Sequence, residues 1–482
     1  MTWLLLTLHV LLVAGFSLRI LLRSDMRPDV RLAWLMVIVL LPYISCLLYF
    51  LFGEVALGRG HGQKRLNVRD FCKAHGSSVA ADSCAPAAQQ ISEQWLPAFR
   101  YASTINGYQV LGSHSAQLMR DGAHARAQML ADMDAAQHEI NVLYYIWLDD
   151  QTGTNLAHAL IRAAQRGVTC RAMVDGLGSH ALIKSGLWQE MKQGGVHLAV
   201  ALPINHPIKV MLTSRIDLRN HRKITLIDGQ ITYIGSQNCA DEAFQVKPRF
   251  APWVDIMLRM QGPAVTQMQQ AFASDWAQSG ARFAPPAITT ACAQDGSSSG
   301  GFSAVAIAEG PTERARSTPQ LVASLLGSAR REAVISTPYF VPDTTVLDAL
   351  CTAAWRGVQV TLILPARNDS WIVGAVSRSH YWRLLTAGVQ IYEYRPGLLH
   401  AKTLCLDGEV SLIGSTNLDL RSFDLNFENN VLLQDTATTQ AIRERQQSYI
   451  SESKAVTLAQ VRATPWWKRI WDNLLGALSP VL

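Results

Sequence analysis

The chain has 482 residues, enough for two or three domains, and 49% of them are hydrophobic while 17% are charged. Lys and Arg number 43 against 37 Asp and Glu, a mild basic excess that suits anionic membranes or phosphate substrates but is shared by many ordinary enzymes. The eight Cys form no CxxC pair and no Cys/His cluster with zinc spacing, which excludes a zinc site of that type. We expect them to be small buried hydrophobic residues.

Two apolar runs lie at the N-terminal end of the chain. Residues 2–18 are almost entirely apolar, and residues 32–52 continue for 21 positions without a charge. About 20 such residues span a bilayer core as a helix. The first run lacks the basic n-region and the cleavage site of a signal peptide. These runs predict a transmembrane helical hairpin at 1–58 and a juxtamembrane segment at 59–108; a hairpin buried in a soluble protein is the alternative.

Basic residues on both sides of the second run leave the orientation of this hairpin open, because basic loops favour the cytoplasmic side. An even number of spans places the N-terminus and the main body on one side, and we expect that side to be the cytoplasm. The competing residues are Arg19, Arg23, Arg27 and Arg31 in the connector, and Arg59, Lys64, Arg65, Arg69 and Lys73 after the second run.

The rest of the chain contains an internal repeat. Residues 139–173 and 333–364 both follow the order strand, loop, helix, strand, and AAQRGV (163–168) matches AAWRGV (353–358). Each match ends a helix at Gly and opens an apolar strand, as βαβ units do. The predicted fold class is α/β, with two pseudo-twofold-related repeats packed together. The expected boundaries are 109–290 for the first repeat, 291–303 for a Gly/Ser-rich linker and 304–455 for the second repeat.

Each repeat carries the same frame of polar residues late in its sequence. The frame reads HxK, four residues, Asp, six residues, GSxN. A single HxK occurs by chance, whereas two full frames at equivalent places in a repeat do not. The frames contain His221, Lys223, Asp228, Ser236 and Asn238 in the first repeat, and His400, Lys402, Asp407, Ser415 and Asn417 in the second.

An Asp-Gly pair between two apolar runs predicts a tight hairpin inside each frame. If Asp228 and Gly229 form a two-residue turn, His221 lies opposite Ser236, and the second frame repeats this register. Residues at i and i+2 share a strand face, so imidazole, ammonium, hydroxyl and amide groups converge. The turn position predicts a structural role for the Asp of each frame rather than that of a base.

These groups suit the transfer of a phosphoryl group. Two Lys can neutralise a phosphodiester, and the Ser and Asn side chains can donate to its oxygens as charge builds in the transition state. One neutral His can attack phosphorus while the other protonates the leaving alcohol. Because no carboxylate/His cluster is visible in the sequence, we expect catalysis without a metal or cofactor. The predicted phosphate ligands are Ser236, Asn238, Ser415 and Asn417.

The first repeat contains an insertion that the second lacks. Residues 195–203 are followed by residues 204–220 before His221, whereas residues 388–396 reach His400 after a very short link. Apolar residues beside cations predict a wall of the pocket mouth at lipid headgroup level. A strand-helix elaboration packed on the core is the alternative. The insertion mixes Ile208, Val210, Met211 and Leu212 with Lys209, Arg215 and Arg219.

Two acids follow the hairpins, Asp255 in WVDIML and Glu428 in LNFE. A nucleophilic His needs its far nitrogen held by a carboxylate or a carbonyl. Both acids lie in apolar, strand-like contexts, which is unusual for carboxylates. We therefore predict that they orient the two histidines; the alternative is that they are surface or structural acids.

The C-terminal segment, residues 456–482, has the pattern of an amphipathic helix. Thr464 and Pro465 form a helix start, and Lys468 and Arg469 flank the aromatic side. Such a helix lies either in a membrane interface or on the core of the protein, and the sequence favours neither. The apolar residues at helical spacing are Trp467, Ile470, Trp471, Leu474, Leu475 and Leu478.

The doubled frame resembles the HKD motif of the phospholipase D superfamily, which implies two phospholipase D-type repeats. The likeness to the bacterial cardiolipin synthase family extends along essentially the whole chain. It implies an enzyme of the bacterial inner membrane that converts two phosphatidylglycerols into cardiolipin and glycerol. Besides the hairpin, the segments that carry the likeness are DLRNHRK (217–223), WVDIMLRMQGPAV (253–265), TPYFVPD (337–343) and GSTNLDLRSFDLNFE (414–428).

The resemblance also implies roles for the motif residues. The His of the first motif is usually the nucleophile, which falls on His221 and leaves His400 as acid and base, with a phosphatidyl-histidine as intermediate. The implied partners are phosphatidylglycerol and other membrane lipids, with no nucleic acid. The catalytic set that the two motifs imply is His221, Lys223, Asp228, His400, Lys402 and Asp407.

Other functions would use the same residues. A hydrolytic phospholipase D transfers the phosphatidyl group to water. A phosphodiesterase-type nuclease needs a basic single-strand groove with stacking aromatics, and two membrane spans have no purpose in it. A non-enzymatic membrane scaffold is a third class, against which the intact motifs argue. The sequence leaves the acceptor alcohol, the acyl preference and the oligomeric state open.

Overall fold

The computed structural model describes residues 2–24, 26–53, 91–204, 217–279, 301–314 and 316–478. Three features of the sequence lie outside these ranges. They are the basic cluster after the second apolar run, most of the insertion before His221 with its Met211 and Leu212, and the linker except for residues 301–303.

The N-terminal segment contains three helices, α1 (Thr2–Leu21), α2 (Pro28–Leu40) and α3 (Pro42–Phe52). The prediction of one continuous helix over residues 32–52 is wrong. Leu41 leaves the helical region, with φ −134° and ψ 63°, because the ring and the missing N–H of Pro42 disfavour a continuous helix. Within the described residues, no helix is both long enough and apolar enough to cross a membrane. The buried side chains that pack these helices together are Ile20, Trp34, Ile38, Cys46 and Tyr49.

The first repeat follows helix α4 (Leu96–Asn106) and alternates strands with helices. Its elements in chain order are β1 (Leu111–Leu118), α5 (Gly122–Ala135), β2 (Glu139–Tyr144), α6 (Gln151–Gln165), β3 (Thr169–Asp175), α7 (His180–Ile183), α8 (Gly186–Gln193), β4 (His197–Ala201), β5 (Arg219–Asn220), β6 (Lys223–Ile227), β7 (Ile231–Gly235), a 3-10 turn (Pro248–Phe250), β8 (Trp253–Val254), β9 (Met257–Gln261) and α9 (Ala264–Gln278).

The second repeat has a similar succession of elements, with a short additional strand, and ends in a further strand and two further helices. Its elements are β10 (Phe302–Glu309), α10 (Ser317–Ser328), β11 (Glu332–Ser336), β12 (Phe340–Val341), α11 (Thr344–Trp355), β13 (Gln359–Pro365), α12 (Trp371–Thr386), β14 (Gln390–Tyr394), β15 (Leu398–Leu399), β16 (Thr403–Leu406), β17 (Val410–Gly414), β18 (Leu418–Asp419), α13 (Leu420–Asp424), β19 (Asn426–Gln434), α14 (Thr436–Ser451), β20 (Ser453–Val456), α15 (Leu458–Arg462) and α16 (Trp466–Leu478).

The equivalent helices α6 and α11 begin and end in the same way. The side chains of Asp150 and Asp343 accept backbone hydrogen bonds from the first turn of each helix, which satisfies N–H groups that have no partner within the helix. At the other end, Gly167 and Gly357 have φ of 92° and 90°, a conformation that glycine adopts without steric cost. The strand–loop–helix–strand pattern predicted from the repeat is confirmed in both copies.

One mixed sheet of sixteen strands runs through the described residues. From its centre outwards, the first repeat has the order β1-β9-β7-β6-β2-β3-β4, and the second has the order β10-β19-β17-β16-β11-β13-β14-β20. The sixteenth strand, β5, lies off this path and pairs with β19. The strands β1 and β10 pair antiparallel at the centre. The outer strands β2-β3-β4 and β11-β13-β14 are parallel. The matching order on the two sides agrees with the predicted α/β class and pseudo-twofold arrangement.

The sheet is buried on both faces, as β10 illustrates. Val305 and Ile307 lie in a core with α4, α10 and α11, and Ala304 and Ala306 lie in the opposite core with α9 and α14, because successive side chains of a strand point to opposite faces. The prediction of buried, unbridged cysteines is confirmed for those in the described ranges, which are Cys46, Cys170, Cys239, Cys351 and Cys405.

The two frame hairpins form, but their predicted register is wrong by one residue. Asp228 and Gly229 both have positive φ, 52° and 64°, and Gln230 closes the turn by donating to Ile227 O at 3.0 Å. The ladder then resumes with Ile227 opposite Ile231. The extra residue at 230 behaves as a bulge, so His221 and Ser236 are not paired across the hairpin. The second hairpin shows the same shift, with Leu406 opposite Val410.

Candidate active site

Two short parallel pairings connect the repeats at the site. β5 pairs with the start of β19, and β15 pairs with β8. Directly after these pairings, His221 N donates to Phe427 O at 2.9 Å and His400 N donates to Val254 O at 2.8 Å. Each histidine is therefore anchored to the residue that precedes the acid of the other repeat.

The imidazole rings follow the same crossed arrangement. His221 Nδ1 lies 2.9 Å from both carboxylate oxygens of Glu428, and His400 Nδ1 lies 2.6 Å from Asp255 Oδ1. Both acids named from the sequence contact a histidine, and each one contacts the histidine of the opposite repeat. With Nδ1 engaged, Nε2 is the nitrogen left for chemistry on each ring.

The two serines bind these acids. Ser236 Oγ donates to Asp255 Oδ1 at 2.6 Å and accepts from Ile256 N at 3.0 Å. Ser415 Oγ donates to Glu428 and accepts from Asn429 N. The expectation that these hydroxyls donate to a phosphate is not what the geometry gives, because each fully buried hydroxyl already donates its proton to a carboxylate.

The lysines and asparagines of the frames lie in the same buried site. Lys223 Nζ and Lys402 Nζ each donate at 2.8 Å to the carbonyl oxygen of their own histidine. Asn238 Oδ1 accepts from Ile146 N at 3.4 Å. Among the described residues, Asn417 Oδ1 has no hydrogen-bond partner although it is buried, so this amide has an unused polar atom that a ligand can satisfy.

The frame aspartates lie at the turns and bind backbone N–H groups. Asp228 accepts from the N–H groups of Gln137, His138 and Glu139 at 2.8–2.9 Å. Asp407 accepts in the same way from residues 330–332. Both carboxylates thereby fasten a hairpin to the start of a neighbouring strand, as expected from their turn position.

The described part of the chain contains no group of three or more His, Cys, Asp or Glu side chains arranged to hold a metal ion. Catalysis without a metal or cofactor stays a prediction.

Comparison with known proteins places this site in a family. The family profile described as "Cardiolipin synthase, PLD-like domain" matches residues 129–276 and 322–450, and a "Phospholipase_D-nuclease N-terminal" profile matches residues 10–54. Cardiolipin synthase A of Klebsiella pneumoniae (strain 342) is 34% identical over 100% of this chain and 98% of its own length. Cardiolipin synthase A of Serratia proteamaculans (strain 568) is 36% identical with the same coverage.

The chain belongs to the bacterial cardiolipin synthase family of the phospholipase D superfamily. It is a phosphatidyltransferase of phospholipid metabolism, as the family implies. The solved structure of phosphatidylserine synthase from Haemophilus influenzae Rd KW20 has the same fold, with a TM-score of 0.59, 16% identity, and coverage of 80% of this chain and 100% of that chain.

The electrostatics of this cardiolipin synthase-family site keep its histidines neutral. Burial lowers the pKa of His221 and of His400 to about 4, against the opposing effect of their carboxylates. Burial alone would raise the pKa of Asp255 and Glu428, but the His and Lys partners lower it, to about 2 for Asp255. At neutral pH both acids are ionised and accept from Nδ1–H, so Nε2 of each ring carries a free lone pair.

Burial also acts on the lysines. It lowers the pKa of Lys223 to about 8. It lowers the pKa of Lys402 to about 7, with the charge of Lys223 adding to the effect. Two cations that repel each other in a buried site favour an anionic ligand between them, because the ligand charge relieves both penalties.

Several residues of the site were missed by reasoning from the sequence. Arg222, fully buried, contacts both oxygens of Asp275 at 2.6 Å and donates to Glu309 O at 2.9 Å and Glu428 O at 3.1 Å. The only available signal was the middle residue of HxK, which is Arg in the first frame and Ala401 in the second. This network braces the strand that carries Glu428.

Aromatic rings pack on both histidines, which also was not foreseen. The Tyr145 ring lies 4.9 Å from the His221 ring, and the Trp253 ring lies 4.6 Å from the His400 ring. The rings limit the orientations of each imidazole and exclude water from it. Nothing in the sequence pairs Tyr145 with His221, because the two residues lie on different elements.

Proposed function

We propose that this enzyme makes cardiolipin from two phosphatidylglycerol molecules, releasing glycerol, through a covalent phosphatidyl-histidine. The observation that carries the proposal is the crossed pair of histidines, each held at Nδ1 by an ionised acid, beside two buried lysines. This arrangement supplies a nucleophile, a proton carrier and positive charge within one site.

In the first step, Lys223 and Lys402 neutralise the phosphodiester of one phosphatidylglycerol. His221 Nε2 forms a bond to phosphorus, and the bond between phosphorus and the headgroup glycerol oxygen breaks. His400 Nε2 delivers a proton to that oxygen, and glycerol leaves. The phosphate anion raises the low pKa of His400 when it binds, so the required proton is taken up together with the substrate.

In the second step, a hydroxyl of the second phosphatidylglycerol loses its proton to His400 Nε2 and attacks phosphorus. The bond from phosphorus to His221 breaks and cardiolipin is released. Asn238 and Asn417 contact the phosphate oxygens or the incoming hydroxyl in both steps. Two in-line displacements each invert phosphorus, so the configuration is retained overall.

The test uses purified full-length enzyme with labelled phosphatidylglycerol, with cardiolipin, phosphatidate and glycerol quantified separately. Cardiolipin and glycerol in equal amounts support the synthase. Phosphatidate as the main product would instead establish a hydrolytic phospholipase D. A chiral phosphorothioate substrate tests the intermediate, because net inversion would mean direct attack without it.

The histidine roles are tested by trapping. His221→Ala and His400→Ala should each lose most activity, since acid–base help alone contributes roughly 10²–10⁴-fold. Only His400→Ala should accumulate labelled lipid on the protein, because it retains the nucleophile and lacks the base for the second step. Label on His221→Ala alone would reverse the two assignments.

We also propose that the N-terminal helices hold the enzyme in the bacterial inner membrane, with the catalytic repeats on the cytoplasmic side. Support comes from their exposed apolar side chains. In inside-out vesicles, added protease should cleave the repeats, and in right-side-out vesicles it should not. Cleavage in right-side-out vesicles would reverse the orientation, and release by alkaline carbonate would contradict the anchoring. The exposed side chains include Leu6, Leu11, Leu22, Leu32 and Val39.

A further inference from the structure

The C-terminal helix α16 packs on α12 through one narrow face. Asp472 is buried there and pairs with Arg378 at 3.2 Å. Leu475 lies in a small core with Val376 and its neighbours, and the two helices approach closely at Gly476, where a Cβ would lie 2.8 Å from Ser379 Oγ. These contacts fix how the helix is rotated about its own axis.

The opposite face of α16 is apolar and exposed. The side chains on it recur at the i, i+3 and i+4 spacing of one helix face, and between 47% and 68% of each remains exposed. The sequence left two environments open for this helix. It packs on the body through Asp472, Leu475 and Gly476, and its wider apolar face points outward. The exposed residues are Trp466, Trp467, Ile470, Trp471 and Leu474.

The exposed face continues onto α12. The rings of Trp371 and Trp471 stack with centroids 6.1 Å apart and planes within 11°, and Trp371 is itself exposed. We call this surface the aromatic platform: Trp371, Trp466, Trp467, Ile470, Trp471 and Leu474. A contiguous apolar patch of this kind, unlike scattered exposed hydrophobic residues, marks an interaction surface.

The composition of the platform favours a lipid surface as its partner. Four of its six members are tryptophans, the residue type enriched at membrane–water interfaces. Arg469 is exposed on the same helix, and Arg462 stacks over Trp382 of the neighbouring α12, 5.2 Å from the ring centre. Lys468 is half-buried and interacts with Glu393 of the body. Long cationic side chains bordering a Trp-rich face can bind anionic headgroups while the rings enter the interface.

A chain of neighbouring side chains connects the platform to the catalytic site. Trp371 lies two residues beyond Asp369, which accepts from Tyr339 OH at 2.8 Å, and Tyr145 is one of the groups that raise the pKa of Tyr339. Tyr145 packs on His221. On the other side, Leu475 shares its small core with Leu420, three residues beyond Asn417.

We propose that the aromatic platform is a docking surface for anionic lipid bilayers, which holds the mouth of the catalytic site at headgroup level. Lipid substrate then enters sideways from the bilayer. The inference rests on the proposed function only in taking a membrane lipid as substrate. It concerns a second membrane contact, separate from the N-terminal helices.

Contact is measured with full-length enzyme in nanodiscs whose phosphatidylglycerol carries brominated acyl chains, which quench nearby tryptophans. Trp467→Leu with Trp471→Leu removes two platform fluorophores and keeps an apolar surface. The quenched fraction of the emission should fall in this variant. The matched control is Trp355→Leu, which removes a 68% exposed tryptophan at the C-terminal end of α11, and the same fraction should not fall there.

Function is measured with Ile470→Ser combined with Leu474→Ser. The apparent KM for bilayer phosphatidylglycerol should rise about tenfold or more with kcat nearly unchanged, since burying each apolar side chain contributes over tenfold to partitioning. Turnover of a short-chain soluble analogue and the melting temperature should stay as in the parent enzyme. Trp355→Ser should leave the bilayer KM, kcat, the turnover of the soluble analogue and the melting temperature unchanged.

Two results would overturn the inference. One is unchanged quenching and unchanged bilayer KM in the platform variants. The other is a dimer in detergent that Ile470→Ser with Leu474→Ser converts to monomer, measured by sedimentation, which would make the platform a contact between two copies of the chain. Failure of the proposed function is distinguishable, because phosphatidate as product with normal platform quenching would remove the synthase reaction and leave the docking surface.

Discussion

At the scale of single residues, the site contains buried positive charges that lower the stability of the fold when no substrate is bound. Lys402 is buried, and its pKa of about 7 lies below the ordinary value because of burial and the neighbouring Lys223. In the unfolded chain, Lys402 keeps its proton up to a higher pH than in the folded chain. Stability therefore increases with pH through the window above about pH 7, and the full cost of the charged lysine is present below it.

The variant Lys402→Met should accordingly melt at a higher temperature than the parent at pH 6, with the difference shrinking towards pH 10. Its activity should fall by roughly 10²–10³-fold, because a cation aimed at the transition-state charge is lost. Thermal unfolding across this pH range and a lipid assay measure the two effects. A lower melting temperature at pH 6 would contradict the assigned charge penalty.

Unlike the charge of Lys402, the charges of Arg222 and Asp275 are paired, and each offsets the cost of burying the other. Arg222→Met should destabilise the fold by about 3–5 kcal/mol, as expected when one partner of a buried pair is left alone. Adding Asp275→Asn should restore part of that loss, because the carboxylate charge is removed while an acceptor for Asn220 remains.

Denaturant unfolding of the two single variants and the double variant completes this cycle. The matched control is Arg162→Met, whose partner Asp134 is half exposed and which should change stability by under about 1 kcal/mol. Equal effects at Arg222 and Arg162 would mean that the buried network contributes little.

At the scale of elements, the frame hairpins are fixed at their turns by the aspartates. Asp228→Asn keeps a residue type that tolerates positive φ but replaces a carboxylate that accepts three backbone N–H bonds. We expect a loss of about 1–3 kcal/mol of stability with kcat within a few-fold of the parent below the melting transition. A loss of kcat over 10²-fold at unchanged melting temperature would make Asp228 a catalytic residue after all.

Most of the insertion before His221 lies outside the described residues, and its role at the pocket mouth stays a prediction. Met211→Ser with Leu212→Ser should weaken activity on bilayers much more than on a short-chain soluble analogue, because only the bilayer substrate must cross an apolar mouth. Equal losses on both substrates, with a lower melting temperature, would assign the segment to the core.

At the scale of the whole molecule, neither repeat holds a complete site. His221 depends on Glu428 and His400 depends on Asp255, and these pairs link the two halves of one sheet. The halves pair directly through β1 and β10 within the chain. Co-expressed His221→Ala and His400→Ala chains should therefore not restore activity to each other. Recovery to about a quarter or more of parent activity would indicate sites assembled between chains.

The repeat, the two frames and the two orienting acids were all predictable from the sequence, because they depend on residue type, spacing and local turn chemistry. Asp-Gly between two apolar runs is a strong local signal for a hairpin. The free cysteines and the βαβ order follow from patterns of the same local kind.

Only the tertiary structure decided which acid orients which histidine. Glu428 lies 207 residues from His221 along the chain, and Asp255 lies 145 residues from His400. It also decided that the serines hold those acids, that a bulge shifts each hairpin by one residue, and that α16 turns its apolar face outward. Each of these depends on the pairing of strands or the docking of helices far apart in the chain. Sequence spacing determines which residues neighbour each other along one helix or strand. The pairing of distant strands determines which side chains face each other across the site.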